Sequence, residues 1–442
     1  MPAQPSSDNL ITNPSFEKLT GDGLPDGWNF EAPRQDVAPS VATDESAARS
    51  GERSLCLGGA GKRGVVGWIS TRCPGITAGE TFELAAYFQV ENVPDLHESV
   101  WMRVTWLHPS SPRDYRLRAA LLYELSEEGD WTRISGVFTA PEGAETAVVS
   151  LGLRNAEDGK IWWDDVSMRR VPTPAPRPVR VATAFLPYDQ SAPEDWARVL
   201  TEAGEGKADI VCLGELAQIV DPHSHPRPTI PGPATDTLAE YARRYRMMIV
   251  VSLTEWDDGL RYNTAIIMGR DGEILGRYRK THLPQAEAED GVTPGDSLPV
   301  FDTEIGRIGL QICYDHFFPE VARLLALGGA EMIFTPIMGD IRAKETVYDA
   351  VARTRAVDNS VFYVTSIRDT GRSLVVDPSG RILADTAGVP GVAFADVDLN
   401  AAYWEDWMSV GGDAEFRHLW PKERRPSLYR ALSEERAVFE GK

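Results

Sequence analysis

Long apolar runs are missing from this 442-residue chain. The best of them, Met247 to Leu253, has the length of a buried strand and falls far short of the roughly 20 residues that cross a bilayer. The first residues, Met1 to Asp8, show no basic stretch leading into an apolar one, so no secretory signal is visible and a cytoplasmic location is the expectation. Positive charge is in short supply: 45 lysines and arginines stand against 66 acidic residues, a net charge of −21 that argues against nucleic acid or an anionic membrane as partner. Cysteine is scarce too, and four in a chain of this size do not make a disulfide scaffold. Cys56 and Cys73 could pair in an oxidising compartment, but two half-buried thiols is the preferred reading. His223 and His225 have no cysteine or third histidine placed to complete a metal site, so none is expected, and their proline-rich surroundings read as a loop that shapes a pocket. A phosphate-cradling loop is absent as well, since Gly58-Gly59-Ala60-Gly61 is not followed by a helix.

What is present has the balance of a soluble globular protein, 42% hydrophobic and 25% charged, with a length that implies two domains. Residues 1–170 read as short strands between turn residues, among them Thr81 to Val90, Val100 to Leu107, Thr132 to Phe138 and Ala147 to Leu153. Alternation and the Gly/Pro/Asp punctuation predict an antiparallel β-sandwich. Residues 171–178, VPTPAPRP, hold four prolines and form an extended linker. From 179 to 442 strands alternate with helices. Strands are expected at Val179 to Leu186, Ile210 to Leu213, Met247 to Leu253, Ile308 to Ile312, Met332 to Thr335 and Val361 to Ser366. Helices are expected at Ala192 to Gly204, Asp236 to Tyr245 and Lys344 to Val357, and hairpins around Arg270 to Glu273 and Asp377 to Gly380. That succession predicts an α/β layered domain.

Three residues stand where such folds place chemistry. Cys313 ends a buried strand just before Pro319 opens a helix. From position alone it is a small buried hydrophobe, and as a nucleophile it needs a base or a nearby cation. Glu215 ends the strand Ile210-Val211-Cys212-Leu213-Gly214, where a buried carboxylate is costly unless paired or functional. Lys280, in Tyr278-Arg279-Lys280-Thr281-His282-Leu283-Pro284, leaves the second strand of a hairpin. Taken singly it is a solvated strand end.

Taken together, in the order Glu, Lys, Cys, the three resemble the triad of the nitrilase superfamily of carbon–nitrogen hydrolases. Tyr262-Asn263-Thr264-Ala265 running through Arg270-Asp271-Gly272-Glu273 into Lys280 resembles that family's lysine segment. Thr293-Pro294-Gly295-Asp296, Ile312-Cys313-Tyr314-Asp315, Phe318-Pro319-Glu320 and Gly329-Ala330-Glu331 resemble its cysteine segment, and Arg424 to Tyr429 its closing motif. The resemblance implies a four-layer αββα sandwich, no organic cofactor, and assembly as a homodimer or larger homo-oligomer. Glu215 is implied as general base, Cys313 as nucleophile, and Lys280 with the backbone N–H of Tyr314 as oxyanion donors. His316, on the same loop, is placed with the oxyanion and substrate contacts. Family members often add a second glutamate before the Pro-Gly-Asp; Glu287 and Glu289 both fall there, and Glu289 fits the spacing better. Phe317 departs from the arginine common in relatives. A Cys–His pair using His316 or His282 is the weaker alternative.

In the first domain, Asn9 to Glu17, Gly27-Trp28 and Trp162-Trp163-Asp164-Asp165-Val166 resemble carbohydrate-binding jelly-roll modules. That resemblance implies a glycan partner, with Trp28, Trp68, Trp101, Trp106 and Tyr115 as candidates for a stacking platform, and a structural calcium shared by Glu17 and Asp165. The bland reading of these aromatics is core or inter-domain packing. The expected function is an amidohydrolase that cleaves a non-peptide amide or N-carbamoyl C–N bond of a small molecule through a cysteine thioester. A nitrilase using the same three residues is one alternative. A glycan-binding protein with a passenger hydrolase domain is another.

Overall fold

A computed structural model describes residues 8–108, 115–122, 124–339, 346–369, 371–405, 414–415, 417 and 424–434. The chain divides into two compact units, Met1–Pro174 with Trp404–Lys442, and Ala175–Tyr403. The first division falls inside the proline-rich stretch. The second differs from the expected domain limits: from Trp404 onward the chain groups with the β unit, not with the α/β unit.

Strands of the first unit are β1 (Asn29–Glu31), β2 (Ser40–Asp44), β3 (Ser54–Gly58), β4 (Val66–Pro74), β5 (Thr81–Glu91), β6 (Val100–His108), β7 (Tyr115–Leu121), β8 (Glu124–Glu128), β9 (Trp131–Thr139), β10 (Thr146–Arg154) and β11 (Lys160–Val171). They form a five-stranded sheet, β1-β4-β10-β6-β7, and a six-stranded sheet, β2-β3-β11-β5-β9-β8. Every pairing between them is antiparallel. The period of two sends Phe82, Leu84, Ala86 and Phe88 of β5 to the same core as Val149 and Leu151 of β10. Trp28 and Trp106 belong to that core, packed on Phe16 and Phe82, so neither is a platform for a ligand. Trp68 and Trp101, of opposite parity to the inward residues Ile69 and Met102, stand on the outer face with ring centroids 5.7 Å apart. The side chain of Tyr115 lies outside the described residues. Glu17 accepts backbone N–H groups of Glu52 and Arg53, while Asp165 takes the Ser15 and Ser50 hydroxyls and pairs with Arg49. Among the described residues no group of three or more His, Cys, Asp or Glu side chains is gathered as a metal site.

In the second unit the strands are β12 (Pro178–Phe185), β13 (Ile210–Cys212), β14 (Met248–Asp257), β15 (Leu260–Met268), β16 (Ile274–Arg279), β17 (Val300–Thr303), β18 (Gly306–Leu310), β19 (Met332–Ile337), β20 (Phe362–Ile367), β21 (Leu374–Val376), β22 (Ile382–Asp385) and β23 (Gly391–Asp398). Two six-stranded sheets result, β16-β15-β14-β13-β12-β23 and β17-β18-β19-β20-β21-β22. Their centres, β12-β13-β14 and β18-β19-β20, are parallel, which is why these strands read as continuous apolar runs. Ile210, Cys212, Met248 and Val250 of one sheet meet Ile308, Leu310, Met332 and Phe334 of the other. The opposite face of the first sheet, with Val211, Ile249 and Val251, takes Trp196, Val199 and Leu238 from two helices, Pro193–Glu205 and Pro233–Tyr245. That of the second sheet, with Ile333 and Tyr363, takes Val321, Leu325, Ala352 and Ala356 from helices Pro319–Leu327 and Thr346–Asn359. The layers are therefore α, β, β, α, as expected. Each large apolar side chain sealed between them contributes about 1.5–3 kcal/mol. The expected start of the last helix, Lys344, lies outside the described residues.

Beyond the second unit, β24 (Trp404–Glu405) pairs with β25 (Ala414–Glu415), and Trp404 packs against the core of the β unit. Arg425, in the segment expected to close the hydrolase domain, instead pairs with Glu98 of the β unit at 3.2 Å.

Candidate active site

The chain leaves β13 through Leu213 and Gly214 and places Glu215 between the two sheets, 1% exposed. Gly214 is required there, because a Cβ would stand 2.8 Å from that of Arg368. The Glu215 carboxylate has a donor at every side: Asn263 Nδ2 at 2.8 Å and Lys280 Nζ at 2.9 Å on Oε1, and the backbone N–H of Met338 at 2.8 Å on Oε2. Asn263 is itself held by the Ser252 hydroxyl, 2.6 Å from its Oδ1, and that hydroxyl receives the Leu216 N–H. Arg368, buried, donates to the carbonyls of Glu215 and Leu216. The carboxylate is thus fixed by its neighbours before any substrate arrives.

Lys280 leaves β16, and the residues that follow turn away from the sheet. The segment Thr293 to Gly295 docks on it: the Thr293 N–H bonds to the Arg261 carbonyl at 2.7 Å and the Gly295 N–H to the Lys280 carbonyl at 2.9 Å. A Cβ at Gly295 would lie 2.2 Å from the Arg279 carbonyl oxygen, so the Pro-Gly-Asp motif owes its glycine to this approach. The Lys280 ammonium, fully buried, is bracketed by Glu215 and by Glu287 Oε1 at 2.6 Å. Burial alone would lower this lysine, but Glu215, the Cys313 sulfur and Glu287 outweigh it and hold it above the usual range. It is an ammonium at any working pH.

Cys313 follows β18 at φ +42°, a left-handed backbone unusual for a residue with a Cβ, and opens a 3-10 turn that runs to Phe317. Its sulfur faces Glu215, Lys280 and the Met338 N–H. Burial, then the Glu215 charge, push the thiol well above the usual cysteine range against the pull of Lys280. At rest it is a thiol, and its activation requires a base in contact with it. Glu215 is that neighbour.

Two expected site residues stand elsewhere. Glu289 does not reach the lysine: it is exposed and accepts from Gln285 at 2.7 Å. Glu287 takes that place. Both lie in the short helix Gln285–Glu289, where residues two apart point to nearly opposite faces. His316 is wholly buried, its Nδ1 at 2.7 Å from the Tyr363 hydroxyl and its Nε2 at 3.2 Å from the Tyr348 carbonyl, so it does not face substrate. Tyr314, whose backbone N–H follows the thiol, presents a partly exposed ring edge-on to Phe318. His282 bonds to Thr281 and Asp315 and stacks on Phe318, and the groups beside the Cys313 sulfur are Glu215, Lys280 and the Met338 N–H with no imidazole among them, which removes the Cys–His alternative. A further buried carboxylate, Glu255, escapes the sequence reading; Arg277, Arg279 and Thr264 enclose it within the sheet, a structural pairing.

Burial pushes the His316 imidazole down to about 3. The folded protein therefore binds fewer protons than the unfolded one between about pH 3 and the ordinary histidine value. Stability from this group is full above about pH 6.5 and is lost on acidification, by at most about 1.4 kcal/mol per pH unit. Thermal melts of wild type and His316→Asn from pH 7.5 to 4 check this. The wild-type advantage shrinks as the pH falls, and a gap that stays constant contradicts the assignment.

The model of the carbon–nitrogen hydrolase family matches residues 189–404. Human omega-amidase NIT2 is 35% identical over 220 residues, which covers 45% of this chain and 76% of that protein. The mouse omega-amidase NIT2 is 32% identical over the same extent. In structure, the unit resembles a carbon–nitrogen hydrolase from Helicobacter pylori G27, with a TM-score of 0.50 at 24% identity, covering 59% of this chain and 99% of that one. The chain belongs to the carbon–nitrogen hydrolase family, in the nitrilase superfamily, and is an enzyme of that class. The β unit's residues Met1–Pro174 lie outside the family match.

Proposed function

We propose that the enzyme hydrolyses a small, non-peptide amide through a thioester on Cys313. The observation that carries this is the buried cluster itself: an ammonium held between two carboxylates, with the Cys313 thiol close enough to feel both Glu215 and Lys280. Glu215 takes the thiol proton as the sulfur attacks the carbonyl carbon. Lys280 and the Tyr314 N–H stabilise the negative oxygen of the tetrahedral intermediate. The protonated Glu215 gives its proton to the leaving nitrogen, the C–N bond breaks, and a thioester remains. Water then adds with Glu215 as base, and collapse of the second intermediate releases the acid and restores the thiol. Glu287 keeps Lys280 aimed at the oxygen throughout. For the β unit, half-buried Trp68, on the sheet face away from the core, is the candidate with surface left for a sugar ring to stack on, since its neighbour Trp101 is 7% exposed.

The name of the human relative, omega-amidase, makes terminal amides the first substrates to test. They are run beside N-carbamoyl amino acids and nitriles, following ammonia and the acid product. Protein quenched in acid during turnover carries the acyl group on the Cys313 peptide and on none of the other three cysteines. Turnover that continues after Cys313 has been fully alkylated by iodoacetamide overturns the proposal.

A further inference from the structure

Cys313 and Lys280 are carried by different sheets. The lysine follows β16 in one and the cysteine follows β18 in the other. Apolar packing between sheets fixes their separation only loosely in the plane of the layers, so something polar must set the register of the two ends. Asp315, 0% exposed, lies at that junction. Its Oδ2 accepts the Ile312 N–H at 2.9 Å, which ties it to the cysteine turn, and the Tyr278 hydroxyl at 2.7 Å. Its Oδ1 accepts the Thr281 hydroxyl at 3.2 Å and the His282 N–H at 3.0 Å, with His282 Nδ1 also at 3.0 Å. Tyr278, Thr281 and His282 bracket Lys280 on both sides in the chain. Ile312 and Asp315 bracket Cys313 in the same way. On the far side, His316 anchors the same turn to Tyr363 and Tyr348. Burial and the Asp315 charge keep the Tyr278 phenol protonated, so it stays a donor.

We infer that Asp315 is a positioning residue: one carboxylate that locks the lysine segment to the cysteine turn and so sets where the ammonium stands relative to the thiol. The inference rests on the proposed roles of Lys280 and Cys313. A buried carboxylate with donors from two segments is a rigid link, because an ionised acceptor binds each donor more strongly than a neutral one. Removing its charge lets the two ends drift, and a displacement of about 1 Å at such a site costs about 100-fold in rate.

The experiment is Asp315→Asn on the full chain, with Cys313 titrated by iodoacetamide and peptide mapping so that rates are expressed per folded, reactive thiol. The expected result is kcat per titrated thiol lower by about 100-fold with KM within about threefold of wild type. A purely architectural role predicts fewer titratable thiols with unchanged kcat per thiol, and that result overturns the inference. So does a rise in KM with kcat unaltered. If Asp315→Asn does not fold, Tyr278→Phe carries the test, since it removes one donor and keeps the ring. It lowers kcat per thiol about fivefold, about 1 kcal/mol of one hydrogen bond, and an unchanged value overturns the inference. A Cys313→Ala protein that still turns over would undo the underlying mechanism instead. A silent Cys313→Ala with normal Asp315→Asn undoes the positioning role alone.

Discussion

Cys313→Ala lowers kcat/KM by about 10⁴-fold or more and leaves the protein folded. The size follows from the absence of any substitute nucleophile: without sulfur no thioester forms, and what survives is the electrostatic and binding contribution of the remaining groups. The fold survives because the exchange removes one half-buried atom and keeps the Cβ at the same left-handed backbone position. Substitution of Cys56, Cys73 or Cys212 leaves the rate unchanged. Burial raises those thiols as well, to about 11 at Cys56 and about 12 at Cys73, and none of them belongs to the Glu215–Lys280 cluster. Initial rates on the most active amide, with circular dichroism melts to confirm folding, check all four variants. A few per cent of wild-type activity in Cys313→Ala would dispose of the thiol mechanism.

Lys280→Met has two large effects at once. The oxyanion loses its charged donor, worth about 10²–10³ in kcat. Stability falls too, since Glu215 and Glu287 stay behind in a closed space with no cation between them. Breaking a buried ion pair from one side costs about 3–5 kcal/mol, because the partner charge remains unpaired. The two consequences separate in a second variant. Lys280→Met with Glu287→Gln recovers part of the stability, having one carboxylate fewer to neutralise, and recovers no activity. Urea midpoints and kcat/KM on the three proteins measure this. A single variant within about 1 kcal/mol of wild type would mean that the lysine is not the charge balance of the site.

Much of this architecture is legible in the chain because the cues are local. Continuous apolar runs mark Ile210–Cys212 and Met332–Ile337 as central strands buried on both faces, and the carboxylate and thiol at the ends of such strands are chemically expensive there. The proline spacing of residues 171–178 marks the seam equally directly. What escapes is direction. Counting back from Pro294 favours Glu289, whereas the short helix at Gln285–Glu289 turns that side chain out and Glu287 in. His316 sits three residues from the nucleophile, but the turn delivers it into the packing of Tyr348 and Tyr363. Asn263 and Asp315 lie inside recognisable segments, yet their parts depend on atoms from strands far away in sequence. Trp28 and Trp106 illustrate the same limit, since an aromatic at a strand position is core or surface according to parity alone.

The return of the chain to the β unit at Trp404 bears on how the protein is made. A ribosome delivers the first 174 residues early, but the Trp404 side chain that packs on their core emerges only after the entire hydrolase unit. Domains generally fold as they appear, so the unit synthesised first is completed last. The intervening 229 residues, Ala175 to Tyr403, must be spanned to close it. Because the entropy of such a closure grows only as the logarithm of its length, prior folding of the hydrolase into a compact body costs the β unit little. The same threading means that a cut at the prolines yields a sandwich without the Trp404 side chain that packs against its core.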